Sequence, residues 1–321
     1  MEEVLEKPLK RYVGRLAPSP TGALHLGNVR TFMIAWLRAR SQGGKVIMRM
    51  EDLDHPKDKP GAAVQAIEDL RWLGFDWDEE YVQSERKHIY RSALEGLHAL
   101  GLVYPCVCSR KDVEAAQSAP HAGDQLHYPG ICRDRFASWK EAQRFLGEGM
   151  GRQPCWRFLV ADDTEVAFDD VFSGRYRQNV SAVLGDFPLA RDEFGAGYTL
   201  ACTVDDLLMG VTEVVRGDDL LPATPAQILL ANALSSDFSA QVTRPLFLHV
   251  PLVVGPDGRR LAKRHGDTRI SAYRAEGRTP EDIIGMLAGS CGWAERGERI
   301  SLDALLPRFD LATIPHAPFM I

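Results

Sequence analysis

A short loop followed by a helix carries the residues best suited to binding a phosphate. Gly22 and Gly27 let the backbone approach a ligand, and the helix predicted over residues 29–40 would direct its N-terminal N–H groups at an anion. His25 can donate hydrogen bonds to a phosphate as its negative charge redistributes. The alternative is a proline-rich loop that caps a helix, with His25 merely packed. The position of the loop directly after an apolar strand at residues 12–16 favours a ligand site.

Arg15, Glu51 and Arg216 each follow apolar residues of a predicted strand. A carboxylate at the end of a strand can bind an ammonium group, and arginine matches a carboxylate through a planar bidentate pair. Two such arginines and one carboxylate would complement an amino acid with two carboxylates. The alternatives are two surface arginines and a solvated acidic turn, and the turn suits Asp54 and Asp58 better than Glu51.

Three cysteines lie within a window of 27 residues, at Cys106, Cys108 and Cys132. Thiolates in this number and at this spacing suit tetrahedral zinc, and the fourth ligand is not a cysteine. His127 and His121 are candidates on chemical grounds, because imidazole is a common zinc ligand. The alternative is three free thiols in a loop-rich segment. The other cysteines are isolated in the sequence and are predicted to be core thiols: Cys155, Cys202 and Cys291.

The pattern of elements around these residues predicts a parallel α/β sheet, in which ligands bind beyond the carboxyl ends of the strands. Besides the first strand and helix, it predicts strands at residues 45–50 and 213–216 and helices at 61–75, 86–101 and 225–234. Between residues 105 and 190, cysteines, tryptophans and short strand-like pieces predict an inserted subdomain. After His249 come a basic turn and about fifty mostly helical residues.

The composition is that of a globular protein, with 45% hydrophobic and 26% charged residues. A net charge of −6 argues against a protein that coats nucleic acid through general electrostatics. A local basic cluster could still contact RNA: Arg259, Arg260, Lys263 and Arg264. The acidic N-terminus predicts no cleavable signal, and the best apolar run, ten residues at 246–255, is too short to span a bilayer. We therefore expect a cytoplasmic protein with no membrane partner and with reduced cysteines.

Four blocks of sequence together resemble the class I aminoacyl-tRNA synthetases of the glutamyl and glutaminyl type. Residues 15–28 resemble the HIGH signature, here His25-Leu26-Gly27-Asn28, and residues 44–54 resemble the strand that ends in an acidic cluster. Residues 198–219 resemble the segment that carries an amino-acid-binding tyrosine and arginine. Residues 258–266 resemble the KMSKS loop, with two departures, Arg260 for lysine and Ala262 for serine. The resemblance covers roughly residues 11–290 and implies a class I Rossmann-type fold.

The resemblance also implies a role for each matching residue. The glutamate-binding residues would be Arg15, Ala17, Ser19, Glu51, Tyr198 and Arg216. The ATP-binding residues would be His25, Gly27, Asn28 and Lys263, of which His25 and Lys263 would be catalytic. The structural zinc ligands would be Cys106, Cys108, Tyr128 and Cys132, so Tyr128 competes with the two histidines for the fourth position. ATP would be a substrate, bound with Mg²⁺.

The length of the chain after the KMSKS-like loop indicates which members of the family it resembles most. Only 55 residues follow Gly266, too few for the helical domains with which glutamyl-tRNA synthetases read the anticodon. With the cysteine-rich insert, this organisation looks like that of the glutamyl-queuosine tRNA(Asp) synthetases, paralogues that activate glutamate without tRNA and transfer it to queuosine at the wobble position of tRNA(Asp). One alternative is a glutamyl-tRNA synthetase catalytic domain cut short. A second is an inactive paralogue that binds RNA.

We expect the chain to be organised in four segments. Residues 1–104 would form the first half of the catalytic domain and 105–194 the zinc-binding insert. Residues 195–250 would form the second half, and 251–321 the KMSKS-like loop with a small, mostly helical region similar to a stem-contact fold. We expect a monomer that binds L-glutamate, ATP and tRNA(Asp) bearing queuosine.

Overall fold

The structure is a computed structural model that describes residues 11–53, 59–116, 126–147, 151–193, 195–235, 243–259, 261 and 268–321. Its first elements are β1 (Val13–Leu16), α1 (Leu26–Ser41) and β2 (Lys45–Met50), and the two strands pair in parallel. A parallel pair needs a crossover connection, which α1 provides. The strand–loop–helix–strand order predicted from the sequence is confirmed, and α1 begins three residues earlier than expected.

The sheet continues through α2 (Ala62–Trp72), β3 (Glu79–Val82) and α3 (Lys87–Ala99). β3 pairs in parallel with β2, so the strand order is β1-β2-β3. Both helices are predicted from the sequence. β3 is not predicted, because two of its four residues are glutamates and it therefore lacks the apolar pattern of a buried strand. An edge strand can be polar in this way.

An antiparallel segment interrupts the parallel sheet. Its elements are β4 (Val103–Cys106), α4 (Arg110–Ala116), α5 (Trp139–Leu146), β5 (Cys155–Phe158), β6 (Glu165–Asp170), β7 (Gly174–Asn179), α6 (Val180–Val183) and β8 (Pro188–Ala190). β4, β5 and β8 form one antiparallel sheet, and β6 and β7 form a hairpin. β4 crosses the predicted boundary between residues 104 and 105, and the division into four segments stays a prediction.

The parallel pattern returns after the insert with α7 (Tyr198–Leu208), β9 (Glu213–Gly217), α8 (Thr224–Ser235) and β10 (Leu246–Val250). β9 and β10 pair in parallel, and Arg216 is in register with His249. Thr212, just before β9, donates its backbone N–H to the Val13 carbonyl at 2.9 Å. This contact places β9 beside β1, so the carboxyl ends of both strands lie at the same edge.

The C-terminal region contains β11 (Val253–Val254), α9 (Ile270–Ala275), α10 (Pro280–Gly289) and β12 (Phe319–Met320), with 3₁₀-helices at Asp303–Arg308 and Leu311–Thr313. α10 begins with a capping box between Thr279 and Asp282 and has Pro280 at its first position. β12 pairs in parallel with β11, with Val253 opposite Phe319. The sequence predicts a mostly helical region here and does not predict this pair of strands.

Helix α1 is the central element of the main hydrophobic core. Its fully buried residues include Val29, Met33, Ile34 and Leu37, the spacing of one helical face. Arg30 is buried as well and donates to the Pro251 carbonyl at 2.7 Å and to the Ser290 hydroxyl at 2.8 Å, which ties α1 to the C-terminal region. In the part of the chain that the structure describes, no helix is both long and apolar enough to span a membrane.

Candidate active site

A cavity of about 520 Å³ opens beyond the carboxyl ends of β1, β2 and β9. Nine residues predicted from the sequence to bind glutamate or ATP line it: Arg15, Ala17, Ser19, His25, Gly27, Asn28, Glu51, Tyr198 and Arg216. The cavity lies where ligands bind in open parallel α/β sheets. Lys263 and its neighbours Arg260, Ala262 and Arg264 lie outside the described residues, so their roles stay predictions.

One wall of the cavity is the start of α1, where His25 is the N-cap residue. The His25 Nδ1 accepts a hydrogen bond from the Gly27 N–H at 3.1 Å, and the Asn28 side chain accepts one from the His25 N–H at 3.2 Å. A neutral ring that accepts through Nδ1 carries its proton on Nε2, the form that can donate to a ligand. A Cβ at Gly27 would lie only 3.0 Å from the imidazole, so glycine permits this cap.

The opposite wall contains Glu51, which is 9% exposed. Its Oε1 accepts hydrogen bonds from Arg49 Nη2 at 3.0 Å and from the Cys202 thiol at 3.2 Å. Burial and the Glu51 carboxylate both raise the pKa of the Cys202 thiol, which keeps the proton that it donates. Arg49 is fully buried and also donates to Asp206 at 2.6 Å, so Glu51 belongs to an internal charge network that fixes its orientation.

Two arginines from neighbouring strands line the same cavity as this carboxylate. Arg15 is 7% exposed and donates to the Val215 carbonyl at 2.8 Å. Arg216 is 5% exposed and donates through Nε to His249 Nε2 at 3.0 Å and through Nη2 to the Thr224 hydroxyl at 2.8 Å. Their cationic groups therefore have few available orientations, which favours a rigid site for an anion.

Helix α7 contributes three residues to the site at a spacing of four: Tyr198, Cys202 and Asp206. Residues at this spacing share one helical face. Tyr198 is 43% exposed and lines the cavity, whereas Cys202 and Asp206 are buried and contact Glu51 and Arg49. One helix thus combines a residue at the cavity surface with two supports behind it.

Sequence reasoning gave no role in the site to three residues that support it. Arg49 lies within the otherwise apolar strand β2, and a buried charge in such a strand signals a carboxylate partner. His249 similarly interrupts the apolar run of β10. Cys202 was predicted to be a core thiol, and it is buried, but its hydrogen bond to Glu51 also places it directly behind the cavity.

A group of three thiols that could bind a metal ion lies in the insert. The Sγ atoms of Cys106, Cys108 and Cys132 all lie within 4.8 Å of one another. The Tyr128 hydroxyl is 3.2 Å from Cys106 Sγ and 3.8 Å from Cys108 Sγ, the place of a fourth ligand. Cys108 and Cys132 are 3.6 Å apart, close to the separation of about 3.8 Å that tetrahedral zinc with bonds of about 2.3 Å imposes.

The competing zinc ligands fit this group less well. The His127 ring contacts the Ser181 carbonyl at 3.0 Å and is not among the clustered ligand atoms, and His121 lies outside the described residues. Cys155, predicted to be isolated, instead stands opposite Cys106 across β4 and β5. Hydrogen bonds with neighbouring thiols lower the pKa of Cys106, and Arg157 Nε lies 3.2 Å from its sulfur, which favours the thiolate.

The fold and the position of the cavity define a class I, Rossmann-like α/β enzyme. Residues 12–305 match the family described as tRNA synthetases class I (E and Q), catalytic domain. The chain belongs to this family, as its four sequence blocks predict, and is therefore a ligase-type enzyme.

Individual relatives agree with this assignment. A glutamyl-Q tRNA(Asp) synthetase of Symbiobacterium thermophilum is 47% identical, over 96% of this chain and 95% of its own length. One of Rhodopirellula baltica is 45% identical, with 96% of each chain covered. A glutamate–tRNA ligase of Aquifex aeolicus is 39% identical over 95% of this chain but only 63% of its own length.

Solved structures of the family have the same fold. The crystal structure of a glutamate tRNA ligase from Elizabethkingia meningosepticum, in complex with its amino acid, superposes with a TM-score of 0.79. It is 29% identical and is matched over 97% of this chain and 67% of that one. A glutamate-tRNA synthetase from Elizabethkingia anophelis superposes with a TM-score of 0.78.

Proposed function

We propose that this enzyme activates L-glutamate with ATP to form glutamyl-adenylate without RNA, and then transfers the glutamyl group to queuosine at the wobble position of tRNA(Asp). The observation that carries the proposal is the cavity that joins Arg15, Arg216 and Glu51 to the capped start of α1. It combines charges that complement glutamate with a helix N-terminus that suits phosphate.

The charged wall of the cavity is assigned to glutamate. Arg216 and Arg15 bind carboxylate oxygens, because both guanidinium groups are buried at the cavity wall. Arg15 Nε also lies 3.7 Å from Asp206 Oδ1, so Asp206 offsets part of its charge. Glu51 binds the ammonium group. Tyr198 covers the substrate from α7, and two small residues that follow β1, Ala17 and Ser19, complete the wall.

The α1 side of the cavity is assigned to ATP. His25, Gly27 and Asn28 lie at the helix N-terminus, where N–H groups and a protonated His25 Nε2 can bind phosphate oxygens. An oxygen of the glutamate α-carboxylate attacks the α-phosphorus, the bond to the bridging oxygen of the β-phosphate breaks, and pyrophosphate leaves. Lys263 follows the departing pyrophosphate with its flexible ammonium group. Mg²⁺ bound to the phosphates neutralises part of their charge.

The transfer step is supported by the relatives that match nearly end to end. In that step a hydroxyl of the queuosine cyclopentene-diol attacks the glutamyl carbonyl carbon, its proton is lost, and AMP leaves. The vicinal hydroxyls of this ring resemble those of ribose, so the chemistry matches that of an ordinary synthetase. The Symbiobacterium and Rhodopirellula glutamyl-Q relatives are covered over 95% and 96% of their length, against 63% for the Aquifex ligase.

We expect glutamate to support ATP–pyrophosphate exchange by this enzyme in the complete absence of RNA. The three charged groups assigned to glutamate are already oriented by contacts within this chain: Arg15 by Val215, Arg216 by His249 and Glu51 by Arg49. The measurement is incorporation of labelled pyrophosphate into ATP, with protein treated with ribonuclease. Exchange that starts only after tRNA(Glu) is added would contradict RNA-free activation.

Aspartate is the matched control substrate in this assay. An apolar pocket discriminates between two substrates that differ by one methylene by only about 1–3 kcal/mol of binding free energy. The loss is larger here, because a shorter side chain withdraws its carboxylate from a buried arginine and leaves that charge unpaired. We therefore expect aspartate to support little exchange, and equal rates with both amino acids would contradict the assignment of Arg15 and Arg216.

We also propose that Cys106, Cys108, Tyr128 and Cys132 bind one structural zinc ion. Their contacts within 3.2–3.8 Å and the thiolate-favouring surroundings of Cys106 support this set. Four protein ligands leave no open position for water, so the ion would organise the insert rather than take part in catalysis. It would join β4 to the segment that carries Tyr128 and Cys132.

Elemental analysis should find about one zinc ion per chain, and Cys106→Ser or Cys132→Ser should remove most of it and lower the melting temperature. A serine hydroxyl is a poor ligand in place of a thiolate. Cys291→Ser is the control, because Cys291 is a buried thiol of the main core and not a member of the cluster. Protein purified without chelators and found free of metal would exclude this site.

A further inference from the structure

Behind Arg216 lies a buried row of three groups from three different elements. Asp170 ends β6 of the insert hairpin, His249 lies on β10, and Arg216 lies on β9. Asp170 Oδ2 is 2.6 Å from His249 Nδ1, and Arg216 Nε donates to His249 Nε2 at 3.0 Å. The side chains of Asp170 and His249 are fully buried. The row therefore connects the insert to the cavity through two fully buried side chains.

The hydrogen bonds in this row require one tautomer of His249. Arg216 has only donors, so His249 Nε2 must be an acceptor and must carry no proton. The ring proton then lies on Nδ1, where the Asp170 carboxylate accepts it. Burial is the main cause that lowers the pKa of His249, and Arg216 adds to it, so the ring stays neutral.

Asp170 is itself fixed by the backbone. Its Oδ1 accepts the N–H groups of Phe172 at 3.1 Å and Ser173 at 2.8 Å, and both of its oxygens lie 3.2 Å from the His249 N–H. Three backbone donors leave the carboxylate little freedom to turn away. Asp170 therefore sets the imidazole tautomer, and the imidazole in turn sets the orientation of Arg216.

We propose that Asp170 and His249 are positioning residues for amino-acid binding, which orient the Arg216 guanidinium toward the substrate carboxylate. The Thr224 hydroxyl accepts from Nη2 of the same guanidinium at 2.8 Å and lies 3.1 Å from His249 Nε2. The edge of the Arg216 guanidinium that carries Nε and Nη2 is thus engaged by protein. This inference rests on the proposed role of Arg216 in binding glutamate and extends it to a residue of the insert.

The row predicts a selective change in substrate affinity. His249→Leu removes the acceptor for Arg216 and should raise the KM for glutamate roughly 10–100-fold, the effect of losing one hydrogen bond to a charged group. The KM for ATP should change by less than about threefold, since ATP is assigned to the α1 side. His249→Gln should restore most of the affinity, because its amide oxygen can accept from Arg216 near the Nε2 position.

Asp170→Asn tests the tautomer directly. The asparagine oxygen would accept from the backbone N–H groups of Phe172 and Ser173, so its NH₂ would face His249 Nδ1. The ring would then carry its proton on Nε2, pointing at the Arg216 N–H, and the KM for glutamate should rise as in His249→Leu. The same change in the His249→Gln background should have little further effect, because glutamine has no tautomer to switch.

The control for both variants is Asp169→Asn, the identical change one residue earlier. Asp169 is exposed and pairs with Arg175 on the hairpin surface, outside the row. This variant should retain the KM for glutamate. Nitrogen NMR of the unmodified enzyme gives a readout that needs no variant: the His249 ring should carry its proton on Nδ1.

Two results would overturn the inference. The first is a His249 ring protonated on Nε2 in the unmodified enzyme. The second is His249→Leu and Asp170→Asn enzymes that keep the KM for glutamate within about twofold or that raise both KM values alike. If the unmodified enzyme shows no glutamate-dependent exchange, the proposed function is refuted. The His249 tautomer measured by NMR then still decides whether Asp170, His249 and Arg216 are hydrogen-bonded as inferred.

Discussion

Arg216→Ala is expected to raise the KM for glutamate by about 10²–10³-fold while the KM for ATP stays within about threefold. Arg216 is 5% exposed and lines the cavity, so its guanidinium meets the substrate carboxylate away from most solvent. Removing one member of a buried, hydrogen-bonded charge pair costs about 3–4 kcal/mol, much of it from the charge left without a partner. ATP–pyrophosphate exchange at varied glutamate, and then at varied ATP, measures both constants.

Two further variants separate this role from general damage. Arg177→Ala removes an exposed arginine of the hairpin that pairs with Glu165, and it should leave both constants unchanged. Lys263→Ala should slow the activation step with a modest effect on glutamate binding, because its charge is most useful as pyrophosphate departs. If Arg216→Ala and Lys263→Ala affected both substrates equally, the assignment of their roles would be wrong.

The order of elements in the catalytic half could be predicted because its signals are local. An apolar strand, a glycine-bearing loop and a periodic helix predict β1, α1 and β2 without any knowledge of the partner strands. β3 and β12 could not be predicted in this way. β3 is polar, and β12 is a pair of residues that forms a strand by pairing with β11, far away in the sequence. Such strands form because a neighbouring edge is available.

Nine of the residues that line the cavity were predictable from motifs, whereas the contacts that support them were not. Arg49 lies 157 positions before Asp206, and the two meet only when the fold brings α7 next to β2. Cys202, on the same helix as Asp206, meets Glu51 in the same way. Asp170 and His249 are separated by 79 positions and belong to different segments. A motif specifies a residue type at a position, but the partner of a buried charge depends on the three-dimensional fold.

The cysteines of the insert also show that contacts between distant residues could not be predicted from the sequence. Spacing alone grouped Cys106, Cys108 and Cys132, because two of them are nearly adjacent and the third follows within the same window of 27 residues. Cys155 comes next to Cys106 only through the antiparallel register of β4 and β5. Strand register depends on which faces are buried, and four-residue strands of mixed character do not determine it from sequence.

Labelled glutamate is expected to end on the anticodon base of tRNA(Asp) and not on the 3′-terminal adenosine. The queuosine ring offers a diol that can attack the glutamyl carbonyl, whereas tRNA with guanine at this position offers no such hydroxyl. The enzyme should therefore transfer glutamate to tRNA that carries queuosine and leave tRNA without it at background. The cavity residues that bind glutamate would be the same in either case, so exchange without RNA does not distinguish the two acceptors.

The location of that label is the most direct test of the proposed function. Bulk tRNA, from cells with and without queuosine, is incubated with the enzyme, ATP and labelled glutamate, digested with a base-specific nuclease and separated into fragments. The proposal predicts label on the anticodon fragment of tRNA(Asp), and only in the tRNA that contains queuosine. Label on the 3′-terminal fragment, or equal labelling of both tRNA preparations, would contradict it and would indicate a glutamyl-tRNA synthetase catalytic domain.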